Sequence, residues 1–420
     1  MASRKKESGI IKFLKNLGPG LITGASDDDP SGIATYSQAG AQFGLSTLWT
    51  ALLTTPLMIS IQEMCARIGV VTKQGLASVI KNNYSKPILY LIMLISFPAV
   101  IFNIGADIAA IGAVSNLLVP QVPAALFSIV FTILLVVALI EFSYKKISSI
   151  LKWLCLALFS YFVVPFLIRV NWQSVIYHTV IPTISLNQSF ILIIVALLGT
   201  TISPYLFFWQ ASSEAEVMNQ PKKQIVVNKK IISNMEFDVD IGMLFSNFIM
   251  FFIILTAGTI LFNAGITQIN TVQQAATALK PLAGNYAYLL FSIGVIGAAL
   301  IAIPVLGGSL AYMYAEIRGS GGGLDKKFHE ARGFYLILII SLAIGVLLNF
   351  IGISPIKMLI YSAVLYGLTA PVLILLILHI CNNKSILGKY VNGKLSNVVG
   401  IITFIIMTAA AVGFIYFLVT

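Results

Sequence analysis

The sequence predicts an all-α protein that crosses a lipid bilayer about eleven times, as two inverted five-helix halves and one further helix. Three observations carry that prediction. Of 420 residues, 58% are hydrophobic and only 10% are charged, with a mean hydropathy of +0.94. That balance belongs to polytopic membrane proteins rather than to soluble domains. Apolar runs of about 20 residues recur from end to end, each long enough to cross ~30 Å of hydrocarbon. Finally, two proline-interrupted polar runs stand at matching places in the two halves.

The expected spans cover 17–44, 45–70, 87–118, 120–142, 147–169, 189–217, 239–263, 284–316, 333–351, 355–380 and 397–419. Residues 1–16 form a basic cytoplasmic stub rather than a cleavable signal. The first repeat takes 17–169, the second 189–380, and the eleventh helix 397–420. With the N-terminus inside, 23 of the 26 Lys and Arg fall in inner segments, and only Arg169, Lys280 and Lys357 fall outside. Such a bias sets orientation in a plasma (inner) membrane. The net charge of +11 is therefore a topology signal with some affinity for anionic lipid, not a nucleic-acid footprint.

The same parity justifies the two weak spans. The run at 17–44 is rich in Gly, Ser and Asp and fails a hydropathy window. Yet the basic residues before it and those at 67–86 share a side only if two spans separate them. The argument repeats for 189–217, between basic segments at 145–152 and 222–230.

Both weak spans must break. The first places Asp27-Asp28-Asp29 directly before Pro30-Ser31-Gly32; the sixth places Ser203 before Pro204, with Gly199, Thr200 and Thr201 close by. Proline lacks an amide hydrogen and glycine weakens helix. Interrupted spans at corresponding positions point to a transporter with inverted repeats and a mid-membrane site. Each buried acid costs roughly 2.5–3.5 kcal/mol even on the lenient insertion scale, so three in a row require water or a cation.

Carboxylates, freed backbone carbonyls and hydroxyls together form an all-oxygen site, which suits hard divalent ions. Asp29 and Asp28 are the expected metal ligands, with the Gly199 and Thr200 carbonyls and the Ser203 hydroxyl opposite them. Asp27 and Asp107 line the permeation path. For Asp29 the competing role is a cap on the second half-helix. For Ser203 it is satisfaction of a proline kink. Three adjacent acids cannot all converge, and Asp27 is expected toward the inner vestibule. Glu63 is expected to pair with Arg67 at i+4, and Glu214, Glu216, Asp238 and Asp240 to form solvated surface pairs.

These residues resemble the natural resistance-associated macrophage protein (Nramp) family of divalent-metal transporters. Asp29-Pro30-Ser31-Gly32 stands where that family carries Asp-Pro-Gly-Asn. QEMCARIGVVTKQGLA at 62–77, NIGADIAAIGAVSNLL at 103–118 and NNKSILGKYVNG at 382–393 are similar to its signatures after and within later spans. The resemblance implies a leucine-transporter-type inverted 5+5 repeat with broken helices 1 and 6.

The departures are specific. Met-Pro-His of the family's sixth span is here Ser203-Pro204-Tyr205, a second histidine is Gln210, an acid on span three is Ala110, and the asparagine ligand is Gly32. The pattern is similar to the Nramp-related magnesium transporters, which implies Mg²⁺ or Mn²⁺ as substrate, with Tyr205 and Gln210 along the path. A hydroxyl in place of a thioether disfavours soft ions, and Mg²⁺ keeps part of its water. The alternative is a proton-coupled Mn²⁺/Fe²⁺ symporter.

The remaining features are bland. Cys65, Cys155 and Cys381 match no metal or disulfide spacing. GSGGGLDKK at 319–327 lacks the preceding strand and spacing of a phosphate loop and reads as a flexible connection. No nucleophile–base pair or nucleotide fingerprint occurs, so an enzyme is not expected, nor is a cofactor. His178, His329 and His379 all fall away from the breaks, which leaves proton coupling without its usual carrier. The chain is expected to act as a monomer in lipid.

Overall fold

The computed structural model describes residues 18–142, 146, 156–219, 225–324 and 326–419. The basic stub and Cys155 lie outside them. Regular structure among the described residues is helical. The first span is split into α1 (Pro19–Asp27) and α2 (Pro30–Phe43). It is followed by α3 (Trp49–Thr72), the short α4 (Leu76–Asn83), α5 (Lys86–Leu118), α6 (Ala124–Glu141) and α7 (Ser160–Leu167). A connecting helix, α8 (Trp172–Val180), leads to the second split span, α9 (Gln188–Thr201) and α10 (Pro204–Met218). Then come α11 (Lys229–Ile260), the small α12 (Val272–Ala276), α13 (Ala287–Arg318), α14 (Arg332–Leu348), α15 (Pro355–Asn382) and α16 (Lys394–Val419).

Each expected span has its helix, the fifth over 156–167 alone because 147–155 lie outside the described residues, and both breaks fall where proline placed them. The seventh span differs most: it starts at Lys229 rather than 239, because Asn228 accepts from the Ile231 amide and caps a polar extension of the apolar run. Seven helical stretches among the described residues are long and apolar enough to cross a membrane. The first split span and α3 are not among them, as the polar content of the first already implied.

Packing exposes the internal symmetry. The second helix, α3, lies on the seventh, α11, and the third, α5, lies on the eighth, α13. Both pieces of the first split span pack on α11, while α10 of the other split span packs on α3. Each broken helix thus leans on the second helix of the opposite half, as inverted repeats require.

Small residues permit the close approach of these helices. A Cβ built on Gly24 would lie 2.2 Å from the Gly242 carbonyl oxygen, so α1 and α11 touch backbone to backbone. Likewise a Cβ on Gly199 would lie 2.1 Å from the Ala363 carbonyl oxygen of α15.

On the α2 side, the way to the break is closed. Val272 and Ala275 of α12 meet Pro30, Ile33, Val114 and Phe291 around an apolar space of about 10 Å³, roughly one water's worth. Gln38 fastens the segment before α12: its Nε2 donates to the Thr267 carbonyl (3.1 Å) and its Oε1 accepts from the Ile269 amide (2.8 Å).

Candidate metal-binding site

The two breaks differ in how they satisfy their loose backbone. At the first, Asp28 leaves the helical region (φ −79°, ψ 49°) and Asp29 is extended (φ −70°, ψ 171°) before Pro30 restarts the helix. The freed Ser26 carbonyl accepts from the Tyr205 hydroxyl at 2.9 Å. At the second, Ile202 and Ser203 leave the helix before Pro204. There the Ser203 hydroxyl turns back to the Thr200 carbonyl (2.5 Å), with the Gly199 carbonyl at 3.2 Å.

The breaks are tied to each other by hydroxyls. Ser31 Oγ lies 3.3 Å from Thr200 Oγ1, and the Tyr36 hydroxyl lies 3.3 Å from Thr201 Oγ1. One turn below, Thr23 donates to the Gln210 side-chain carbonyl, and Gln210 Nε2 donates to Glu214 at 3.0 Å.

Asp27, Asp28 and Asp29 are each no more than 1% exposed. Asp29 is the most engaged. Its Oδ1 accepts from the Gly32 amide and the Ser31 hydroxyl, and its Oδ2 accepts from Asn103 Nδ2, each at 2.8 Å. It is therefore the N-cap of α2. A carboxylate has about four acceptor positions, so three donors leave room for one further partner. Asp27 and Asp28 share a single donor, Ser246 of α11, at 2.7 and 3.2 Å. Asp27 Oδ1 and Asp28 Oδ2 have no hydrogen-bond partner.

Buried Asp, Glu, Lys and Arg side chains among the described residues are Asp27, Asp28, Asp29, Asp107, Glu214 and Arg67. Arg67 is held far along α3 by Glu236 (3.1 Å) and Asn392 (2.8 Å). The four aspartates around the breaks therefore have no cationic side chain of their own. Among the described residues no three Asp, Glu, His or Cys side chains converge on one point. The acids are strung along the break instead of forming a cage, as adjacency required.

The structure brings Asp27, Asp28, Asp29, Thr200, Tyr205 and Gln210 to the interface of the two breaks. It places Ser203 and Gly199 otherwise. The Ser203 hydroxyl and the Gly199 and Thr200 carbonyls are engaged with one another, and Gly199 serves the contact with α15. Asp107 is fully buried on α5 with both oxygens unpartnered. Sequence reasoning missed Ser246, Asn103 and Tyr36, and noted Thr201 beside the break without giving it a role. A polar residue inside an apolar span was the available signal for Ser246 and Asn103.

Several expected surface pairs are rearranged. Arg67 binds Glu236 across the α3–α11 contact instead of Glu63 on its own helix, because the neighbouring helix offers a better-placed carboxylate. Asp238 accepts from the Gly18 (2.9 Å) and Gly20 (2.7 Å) amides and caps α1 from another helix. Glu214 is buried against Gln210, and Glu216 accepts from the Tyr312 hydroxyl. These acids brace the split helices rather than sitting in solvated pairs.

A family model described as natural resistance-associated macrophage protein-like matches residues 20–417. The chain belongs to the Nramp family. Among similar proteins is the divalent metal cation transporter MntH of Caldanaerobacter subterraneus subsp. tengcongensis, 24% identical over 400 residues, covering 94% of this chain and 90% of that protein. MntH of Yersinia enterocolitica is 25% identical over 397 residues, with coverage of 92% and 91%.

The Nramp fold is shared with a crystal structure of an Eremococcus coleocola manganese transporter, at a TM-score of 0.73 and 16% identity, covering 98% of this chain and 88% of that one. Mhp1, a nucleobase-cation-symport-1 family transporter, matches at a TM-score of 0.55 and 12% identity over 96% of this chain and 93% of its own. This Nramp protein is an integral membrane protein of that inverted-repeat architecture.

Proposed function

We propose that this Nramp protein carries divalent metal cations, Mg²⁺ and Mn²⁺, across the membrane by alternating access and without proton coupling. One observation carries the reading: four buried aspartates flank two facing helix breaks, and the described residues supply no positive charge among them. Isolated buried carboxylates are tolerable only when protonated, paired or bound to a metal. The relatives are named as divalent metal cation transporters, which supports a cation cargo and a carrier rather than an enzyme.

In this reading Asp28 and the open position on Asp29 hold the ion from the first break, with the Thr200 hydroxyl opposite. Asp27 and Ser246 stand on the α1 side, along the way to the cytoplasm. We orient the N-terminus and the α1 end inward from the basic residues. Hard oxygen donors support Mg²⁺ as well as Mn²⁺. The thioether of Met250, beside the second break, is occupied by the hydroxyls of Thr201 (3.5 Å) and Thr54 (3.9 Å).

The second reading, a proton-coupled Mn²⁺ symporter, draws support from the manganese named in the neighbour's description. Flux competition in proteoliposomes separates the two. Mn²⁺ uptake is expected to be inhibited by Mg²⁺ and only weakly by Cd²⁺, with no internal acidification. Cd²⁺ outranking Mg²⁺, or acidification in step with Mn²⁺ entry, selects the symporter.

A further inference from the structure

We propose that Asp107, Asn103 and Tyr366 form a second cation position, separate from that at the first break, which takes a hard, oxygen-ligated divalent ion. The proposal rests on the reading that the chain transports such ions. Asn103 and Asp107 are four residues apart on α5 and so share one face of it. Tyr366 comes from α15, which packs on α5. It lies beside Asn103, within the field of both Asp29 and Asp107. Its ring stands 5.6 Å from that of Tyr205, whose hydroxyl holds the broken end of α1.

The reason to expect a ligand is the state of these side chains. All three residues are 0% exposed. Asp107 Oδ1, Asp107 Oδ2, Asn103 Oδ1 and the Tyr366 hydroxyl each lack a hydrogen-bond partner. Native interiors leave few such atoms, and each one asks for an explanation. A bond from Tyr366 to Asn103 would still leave the Asp107 carboxylate bare. The donor set is a carboxylate, an amide carbonyl and a hydroxyl. With no sulfur or imidazole among them, it selects hard cations.

Asn103 links this position to the first. Its Nδ2 donates to Asp29 Oδ2, and a carboxylate can only accept, so the amide carbonyl must face away from Asp29. An ion held by that carbonyl and Asp107 would therefore fix the donor that orients Asp29. The two positions are separate but mechanically coupled through one amide.

The test counts bound metal on the full-length chain in detergent, from loss of the free Mn²⁺ signal in electron paramagnetic resonance. The unmodified chain is expected to bind two Mn²⁺. Asp107→Asn and Asp28→Asn should each bind one, and Tyr366→Phe should bind two with one weakened by roughly tenfold, the scale of losing a supporting group at a metal. Anomalous scattering from Mn²⁺-soaked crystals of the unmodified chain gives an independent readout, with a peak expected between Asp107 and Tyr366. One Mn²⁺ in both the unmodified chain and Asp107→Asn, with no such peak, overturns the second position and leaves the transport reading intact. Loss of all Mn²⁺ in Asp28→Asn overturns its separateness. No Mn²⁺ on the unmodified chain overturns both readings.

Discussion

Asp29 has two jobs, and the difference between them can be measured. As an acceptor it caps α2 through the Gly32 amide and holds Ser31 and Asn103. As a charge it attracts the ion. Asp29→Asn keeps an acceptor for the cap and removes the charge. Losing one partner of a buried charge contact costs about 2–5 kcal/mol. Metal flux should therefore fall by at least roughly thirtyfold, while the thermal midpoint moves little. Asp29→Ala removes the cap as well and should lose about a further 0.5–2 kcal/mol of stability. Equal flux in Asp29→Asn and the unmodified chain would refute the charge role. Ser203 offers the contrasting case, because its hydroxyl closes the second break and does not face the acids. Ser203→Met should raise Cd²⁺ preference in flux competition if the new thioether reaches the ion; an unchanged ion ranking would show that the break, not the ligand, is what Ser203 serves. The acids themselves stood out in the sequence, since three carboxylates inside a span are costly to bury. Ser246 and Asn103 were not, because a lone serine or asparagine in an apolar helix gains meaning only from what the opposing helix places before it.

The split helices are held by their neighbours rather than by their own sequence. Proline and glycine made the interruptions at 28–29 and 202–203 readable, and the basic segments made the weak spans countable. What lay beyond reach was the bracing. Asp238 of α11 caps the first amides of α1, where Gly18 at the N-cap position has no side chain to do so. The i+4 spacing suggested Glu63 for Arg67, but Glu236 lies across the helix contact and takes it. Local periodicity cannot see a partner on another helix, so the acids near the α1 end were misjudged as solvated. Their placement predicts a gate. Removing the cap with Asp238→Ala should weaken the hold on α1 by about 0.5–2 kcal/mol, which opens that side roughly two- to thirtyfold more often. A cysteine at Ser26, buried at the break, should then react faster with an impermeant maleimide in a background freed of native cysteines. Asp238→Asn, which keeps an acceptor, should react at close to the original rate. Equal rates in all three would show that α1 is not held by this carboxylate.

For the molecule as a whole, the question is what drives the ion. The structure closes the α2 side with an apolar plug and buries the aspartates, so neither side of the site is open to bulk water. Such an occluded arrangement suits a carrier that exposes its site alternately. Charge on the cargo then couples transport to the membrane potential whether or not another ion moves. Two elementary charges crossing 100 mV are worth about 4–5 kcal/mol, or accumulation of roughly a few thousandfold at equilibrium, which is ample drive without protons. The histidines are placed accordingly. His178 lies on α8, His329 faces Glu330 at 3.9 Å outside the spans, and His379 bonds the Tyr84 hydroxyl at 2.6 Å near the end of α15. None stands at a break to relay protons near neutral pH. In proteoliposomes carrying a potassium diffusion potential, Mg²⁺ and Mn²⁺ entry should accelerate as the interior is made more negative. An enclosed pH indicator should stay flat throughout. Because the cargo carries the charge, collapsing the potential with ionophore should slow uptake even when the pH gradient is left in place. If uptake instead follows the pH gradient at zero potential, protons travel with the metal and the buried aspartates must carry them.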